Sequence, residues 1–138
     1  MADRLEIGDL IVRYALLLDE RRIDDYAALF TTDGEWVGNM GRAAGREQIV
    51  TLMRAGLDVT TDESQGSYHF VFNPHIDVSG DTASARSGFA FVARDPEDQP
   101  DVRMIGHYED LLARTSEGWR FTRRQAFLDI PWKRTPRW

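Results

Sequence analysis

The sequence predicts an α+β fold, with helices first and antiparallel strands after them. Three observations predict it. Ile7, Leu10, Ile11, Tyr14, Leu17 and Leu18 recur at i, i+3, i+4, i+7, the period of an amphipathic helix. From Ser67 onward the texture changes to long runs rich in aromatic and β-branched residues. Those runs are joined by short turns, Ser79-Gly80-Asp81 and Ser116-Glu117-Gly118, as hairpins are. Helices followed by antiparallel hairpins pack on one face of a sheet. A curved sheet wrapped around helices encloses a concave pocket, the usual place for small-molecule chemistry.

The elements follow in order. Asp3, with Glu6 three residues on, is a capping-box-like start for a first helix running to about Leu18. A second short helix, capped by Asp24 or Asp25, shows Tyr26, Leu29 and Phe30 on one side. Thr31-Thr32-Asp33-Gly34 reads as a turn and Glu35-Trp36-Val37 as a short strand. Gly38, Gly41 and Gly45 make the next stretch a loop. A third helix spans about Arg46 to Leu57, with Ile49, Leu52, Met53 and Leu57 inward. Thr60 to Gly66 is polar. Strands are expected over Tyr68 to Ser79, Thr82 to Arg94, Val102 to Thr115 and Trp119 to Asp129. The acidic segment Asp95 to Asp101 is a loop, and Pro131 ends the sheet.

Composition narrows the function. The 138 residues make one domain, expected over 1–130, with 131–138 as a tail. A net charge of −6 argues against a nucleic-acid partner, since such binders carry a basic face. With no cysteine there is no disulfide, thiol nucleophile or thiolate metal site. The charged start lacks the apolar core of a signal peptide, and no run reaches membrane-spanning length. A soluble cytoplasmic protein without a membrane partner is expected.

Several residues can carry chemistry. Asp19 closes the first helix, where the negative dipole end disfavours a carboxylate; it is either functional or a solvated turn residue. His69 opens the long strand. By alternation His69, Val71 and Asn73 share one side, with Tyr68, Phe70 and Phe72 on the other. A histidine beside a carboxylate acts as a general base near neutral pH; the structural alternative is a histidine bonded to a backbone carbonyl. His69, His75 and His107 are the only histidines and show no paired ligand spacing, so no metal site is expected. No nucleophile elbow and no phosphate loop is present. Alternation sends one of Arg123 and Arg124 inward, either to hold negative charge on a substrate or to pair with Asp19, Glu35 or Asp110. Trp36 and Tyr108 line a pocket or fill the core.

Read together, several segments resemble a known family. They are Ile7-x-x-Leu10-Ile11-x-x-Tyr14-Ala15-x-x-x-Asp19, Leu29-Phe30-Thr31-x-Asp33-Gly34-x-Trp36 and Gly45-Arg46-Glu47-x-Ile49. Then come His69-x-x-x-Asn73, Gly80-Asp81-x-Ala83, Gly106-x-Tyr108-x-Asp110 and Gly118-Trp119-Arg120-Phe121 with Arg124. In this order they resemble the SnoaL-like branch of the NTF2-like (cystatin-like α+β cone) superfamily. The resemblance implies three N-terminal helices on a curved, mostly antiparallel sheet enclosing a pocket. In motif the chain is similar to scytalone dehydratase, bile-acid 7α-dehydratase and hexachlorocyclohexane dehydrochlorinase.

That similarity implies a cofactor-free lyase or isomerase, dehydratase-like, acting on a small, largely apolar, cyclic substrate. Asp19 and His69 match the acid–base pair of those enzymes, Tyr14 a hydrogen-bond donor and Arg124 a stabiliser of negative charge. Trp36, Asn73 and Tyr108 would shape the cavity. A polyketide cyclase-like or epoxide hydrolase-like reaction, the latter drawing on Asp19, Arg124 and Asp110, is the enzymatic alternative. A non-catalytic ligand-binding or assembly module is the other. The family also implies a homo-oligomer, a dimer or trimer.

Overall fold

A computed structural model describes residues 1–60 and 66–131, with the backbone alone for residues 58–60. The elements are α1 (Ala2–Asp19), α2 (Ile23–Ala27), β1 (Phe30–Gly38), β2 (Gly41–Ala44), α3 (Arg46–Thr60), β3 (Ser67–Ser79), β4 (Thr82–Arg94), β5 (Pro100–Thr115) and β6 (Gly118–Ile130). The six strands form one sheet in the order β2-β1-β6-β5-β4-β3. All neighbours are antiparallel except β1 and β6, which run parallel. The expected tail after Pro131 and residues 61–65 of the polar segment lie outside the described residues.

The apolar stripe of α1 does what its period predicts. Ile7, Leu10, Ile11, Tyr14, Leu17 and Leu18 are all buried, and α1 packs against β3 and β6. The opposite wall comes from alternate residues of the sheet: Ala83, Ala85 and Phe89 of β4, Tyr108 and Leu112 of β5, Trp119 and Phe121 of β6. Burying one such side chain contributes about 1.5–3 kcal/mol, so this shared core is what holds helix to sheet.

Local signals gave way to tertiary partners at two helix starts. The capping box does not form: α1 starts at Ala2 with no side-chain cap. Asp3 instead accepts bonds from both terminal nitrogens of Arg114 (2.9 and 3.0 Å) and from the Trp119 indole (3.1 Å). Glu6 accepts from the Trp119 backbone N–H (3.3 Å). The two carboxylates therefore pin α1 to the β5–β6 hairpin, and the Arg114 and Trp119 bonds hold the Asp3 carboxyl below its usual range. Nor do Asp24 and Asp25 cap α2, whose preceding residue is Arg22.

The stretch read as a turn and a glycine loop is part of the sheet. Thr31–Gly34 lies inside β1, where the pairing with β6 is irregular between Phe30 and Glu35. Gly41–Ala44 forms β2 and pairs with β1.

Gly106 shows how closely the inner face is built. A Cβ there would strike the Phe127 carbonyl oxygen and the Phe89 ring. Phe89 lies on the open glycine and stacks against Tyr108, with ring centroids 4.6 Å apart. Gly106→Ala is expected to destabilise the protein by about 1–3 kcal/mol, the usual overpacking cost, because a backbone oxygen cannot turn aside. A urea midpoint unchanged from wild type would contradict this packing.

Candidate active site

The last turn of α1 meets the start of β3. Asp19 ends the helix, and its carboxylate lies 2.6 Å from Nδ1 of His69. The His69 backbone N–H also donates to this carboxylate, at 2.9 and 3.1 Å. One residue thus binds Asp19 by both main chain and ring, which fixes the carboxylate and the imidazole plane together. Each side chain keeps only 12% of its surface exposed. A carboxylate can only accept, so the short contact places the imidazole proton on Nδ1. Nε2 then carries the lone pair, and it has no hydrogen-bond partner among the described residues. The ring packs on Phe91, with ring centroids 4.8 Å apart, an apolar side chain that offers Nε2 no hydrogen bond. Such a couple can remove a proton while the carboxylate offsets the charge that develops on the ring.

A groove of about 380 Å³ opens on the Asp19 side, lined by Leu16, Asp19, Glu20, Arg21, Gly66 and Ser67 with Tyr68. Arg21 adopts a left-handed backbone (φ 60°), and its Nη1 donates to the Leu18 carbonyl (2.9 Å). That bond closes the last turn of α1 behind Asp19.

A second group lies deeper, one and a half helical turns before Asp19 on the same helix. Tyr14 is fully buried, and its hydroxyl accepts the indole N–H of Trp36 at 3.0 Å. Its ring lies 4.7 Å from Tyr26 and 5.5 Å, edge-on, from Tyr108. Arg124 reaches this cluster from β6 and forms a bidentate pair with Asp110 of β5, at 2.7 and 2.8 Å. Neither side chain of the pair has any exposed surface. The guanidinium carbon sits 4.2 Å from the Tyr14 ring centre, 3.9 Å from Tyr108 and 4.4 Å from Phe121. Burial works against the charge on Arg124, and Asp110 more than offsets it. Burial pushes the Asp110 carboxyl above its usual range, with Arg124 pulling it partway back.

All three phenols titrate above the ordinary tyrosine value, because burial disfavours phenolate. Tyr26 and Tyr108 are pushed well above it. Tyr14 is raised less, since Arg124 and its hydrogen-bonding neighbours oppose the burial.

Arg124 is the inward arginine, and the cause is a bulge. The β5–β6 register slips between Leu111 and Leu112, so Thr122 is an extra residue in β6. Arg124 meets Asp110 rather than an open cavity, which is the ion-pair alternative for that position. Asp19 is held by His69 and Asp110 by Arg124, so the three do not form one cluster. Asn73 departs from its expected inward place. It is exposed at φ 51°, in a bulge between Phe72 and His75. Asparagine tolerates that left-handed region, and the bulge resets the parity, so Ile76 and Val78 turn toward the core instead. His107 faces the outer side of the sheet, where it pairs with Asp129 at 2.6 Å and stacks on Phe127. His75 is exposed, 3.4 Å from Asp77. Among the described residues no three potential metal ligands converge.

Phe91, Phe89 and Tyr26 were not marked as site residues by the sequence. Phe89 and Phe91 follow the same alternation as Tyr108, one signal that would have found them.

Comparison with known proteins now adds the lineage. Residues 1–125 match the model of the SnoaL-like domain. The chain belongs to the SnoaL-like family. An uncharacterised protein of Mycobacterium tuberculosis (strain ATCC 25618 / H37Rv), Rv2910c, is 32% identical over 134 residues, covering 90% of this chain and 84% of that one. Among solved structures, an NTF2-like protein with a cystatin-like fold from Novosphingobium aromaticivorans superposes with a TM-score of 0.84 at 29% identity. That match covers 93% of this chain and 82% of the other. A candidate scytalone dehydratase from the same organism gives 0.76 at 26% identity, covering 92% and 84%. The SnoaL-like family and the NTF2-like fold are thus established for this chain. No helix among the described residues is long and apolar enough to cross a membrane.

Proposed function

We propose that this protein is a cofactor-free lyase or isomerase that uses His69 as a general base on a small, largely apolar cyclic molecule. One observation carries the reading: the His69 ring is held by Asp19 at 2.6 Å while its Nε2 has no hydrogen-bond partner among the described residues. The base takes a proton from carbon next to a carbonyl or similar activating group. The C–H electron pair moves into the conjugated system. In the isomerase case the proton returns to another carbon; in the dehydratase case it leaves with a hydroxyl group as water. Asp19 keeps the Nδ1 proton in place and offsets the imidazolium charge. Tyr14 is the proposed hydrogen-bond donor to the substrate oxygen. The apolar ring of Phe91 beside the imidazole supports an apolar substrate. The likeness to a candidate scytalone dehydratase supports the dehydratase form. Exposed Tyr68, Phe70 and Phe72, a row on the outer side of β3, support assembly into a homo-oligomer.

The test is proton exchange. The protein is incubated in D₂O with a panel of cyclic ketones and β-hydroxy ketones. NMR follows deuterium entering the α-carbon, and mass spectrometry follows loss of water. Exchange or elimination by wild type, lost in Asp19→Ala, is the expected result. Panel members that raise the melting temperature yet never exchange would replace the enzyme with a binding module.

A further inference from the structure

Three buried tyrosines share one cluster, yet their surroundings are not equivalent. Tyr14 alone accepts the Trp36 indole, at 3.0 Å. An indole nitrogen is a donor only, so the Tyr14 hydroxyl must be the acceptor in that bond. Its own proton therefore points elsewhere. The Tyr26 hydroxyl, by contrast, is buried without a well-directed partner among the described residues, although it lies near enough to act on Tyr14. The Arg124 guanidinium carbon lies over the Tyr14 ring, 4.2 Å from its centre, and Asp110 holds the planar fork through two bonds. A lysine could not be fixed this way.

We infer that Trp36 and the Asp110–Arg124 pair are positioning residues for Tyr14, turning its hydroxyl so that the proton is left for a substrate oxygen. This reassigns Trp36 from shaping a cavity to orienting a donor, and Arg124 from holding substrate to polarising a phenol. The proton-donating half of the inference rests on the proposed role of Tyr14; the orienting half does not.

The groups facing Tyr14 can be named from every side. They are Tyr26 on α2, Trp36 on β1, Tyr108 and Asp110 on β5, and Arg124 on β6. Burial and Asp110 disfavour a phenolate at Tyr14, whereas the Arg124 charge, the Tyr26 hydroxyl and the indole N–H favour it. The balance makes Tyr14 the readiest proton donor of the three, in line with its smaller upward displacement.

The experiment incorporates 3-fluorotyrosine, which brings phenol titration into an accessible range, and follows each tyrosine by ¹⁹F NMR. The chain has four tyrosines, and Tyr68, 61% exposed, serves as the internal reference. Tyr14 is expected to ionise before Tyr26 and Tyr108. Trp36→Phe is expected to raise the Tyr14 midpoint by about one pH unit, the worth of one hydrogen bond, while Tyr68 stays put. A Tyr14 midpoint unmoved by Trp36→Phe, or one above those of Tyr26 and Tyr108, would overturn the inference. Should Trp36→Phe fail to fold, Tyr14→Phe gives a second reading through the indole N–H resonances. That of Trp36 must shift while that of Trp119, bonded to Asp3, does not; an unmoved Trp36 resonance overturns the inference as well. Neither measurement needs a substrate, so a failed exchange screen would remove the lyase reading without touching this one.

Discussion

His69→Ala is expected to lower turnover by about 10²–10⁴-fold on any substrate that the exchange screen identifies, the usual contribution of one general base. The loss should fall on kcat, because the imidazole does its work when the proton moves rather than when the substrate docks. The fold should survive. The bond from the His69 backbone N–H to Asp19 does not need the ring, and His69 sits near the start of β3, an edge strand. Circular dichroism and the melting temperature are therefore measured beside the rate. A folded His69→Ala protein with wild-type turnover would mean that another group takes the proton, and the Asp19–His69 couple would be structural. Asp19→Asn makes a useful companion. It removes the charge that offsets imidazolium but leaves a side chain of similar shape, so a smaller loss than in His69→Ala is the expected order.

Why that couple was hard to see in the sequence is itself instructive. Asp19 and His69 are 50 residues apart, and no local period links a helix end to a strand start. Only resemblance paired them. The helical stripe of α1 was legible because its spacing answers to one core face. The alternation in β3 was legible up to Phe72 and failed at Asn73, where a bulge shifts the parity. A similar slip at Thr122 decided between Arg123 and Arg124, and nothing in the residue pattern announces it. Asp3 and Glu6 had the right spacing for a capping box, but Trp119 and Arg114, more than 100 residues on, offered donors with better partners. Gly38, Gly41 and Gly45 read as loop, but Gly38 ends β1 and Gly41 opens β2, which pairs with it. Each miss turned on a pairing partner rather than on the local residue pattern, from the neighbouring strand β1 for β2 to residues more than 100 positions on for Asp3 and Glu6.

The other large effect concerns stability, and it tests the floor on which Tyr14 rests. Asp110→Ala is expected to destabilise the protein by about 3–5 kcal/mol, because it leaves a guanidinium buried and uncompensated. Both partners have no exposed surface, so water cannot take the place of the carboxylate without opening the core. One nitrogen of Arg124, Nη1, is already buried with no hydrogen-bond partner among the described residues, which leaves little slack for losing the other two bonds. The urea midpoint should fall steeply. Removing both charges together, as Asp110→Leu with Arg124→Met, should recover much of the loss, since an apolar pair of similar volume avoids the desolvation cost. The double variant then separates two roles of the same residues. If stability returns but the Tyr14 titration stays displaced, the pair exists to tune the phenol. If both return to wild type, the pair is only a packing solution and the polarising role of Arg124 is wrong. A single Asp110→Ala variant as stable as wild type would mean that the guanidinium reaches water by some path through the core.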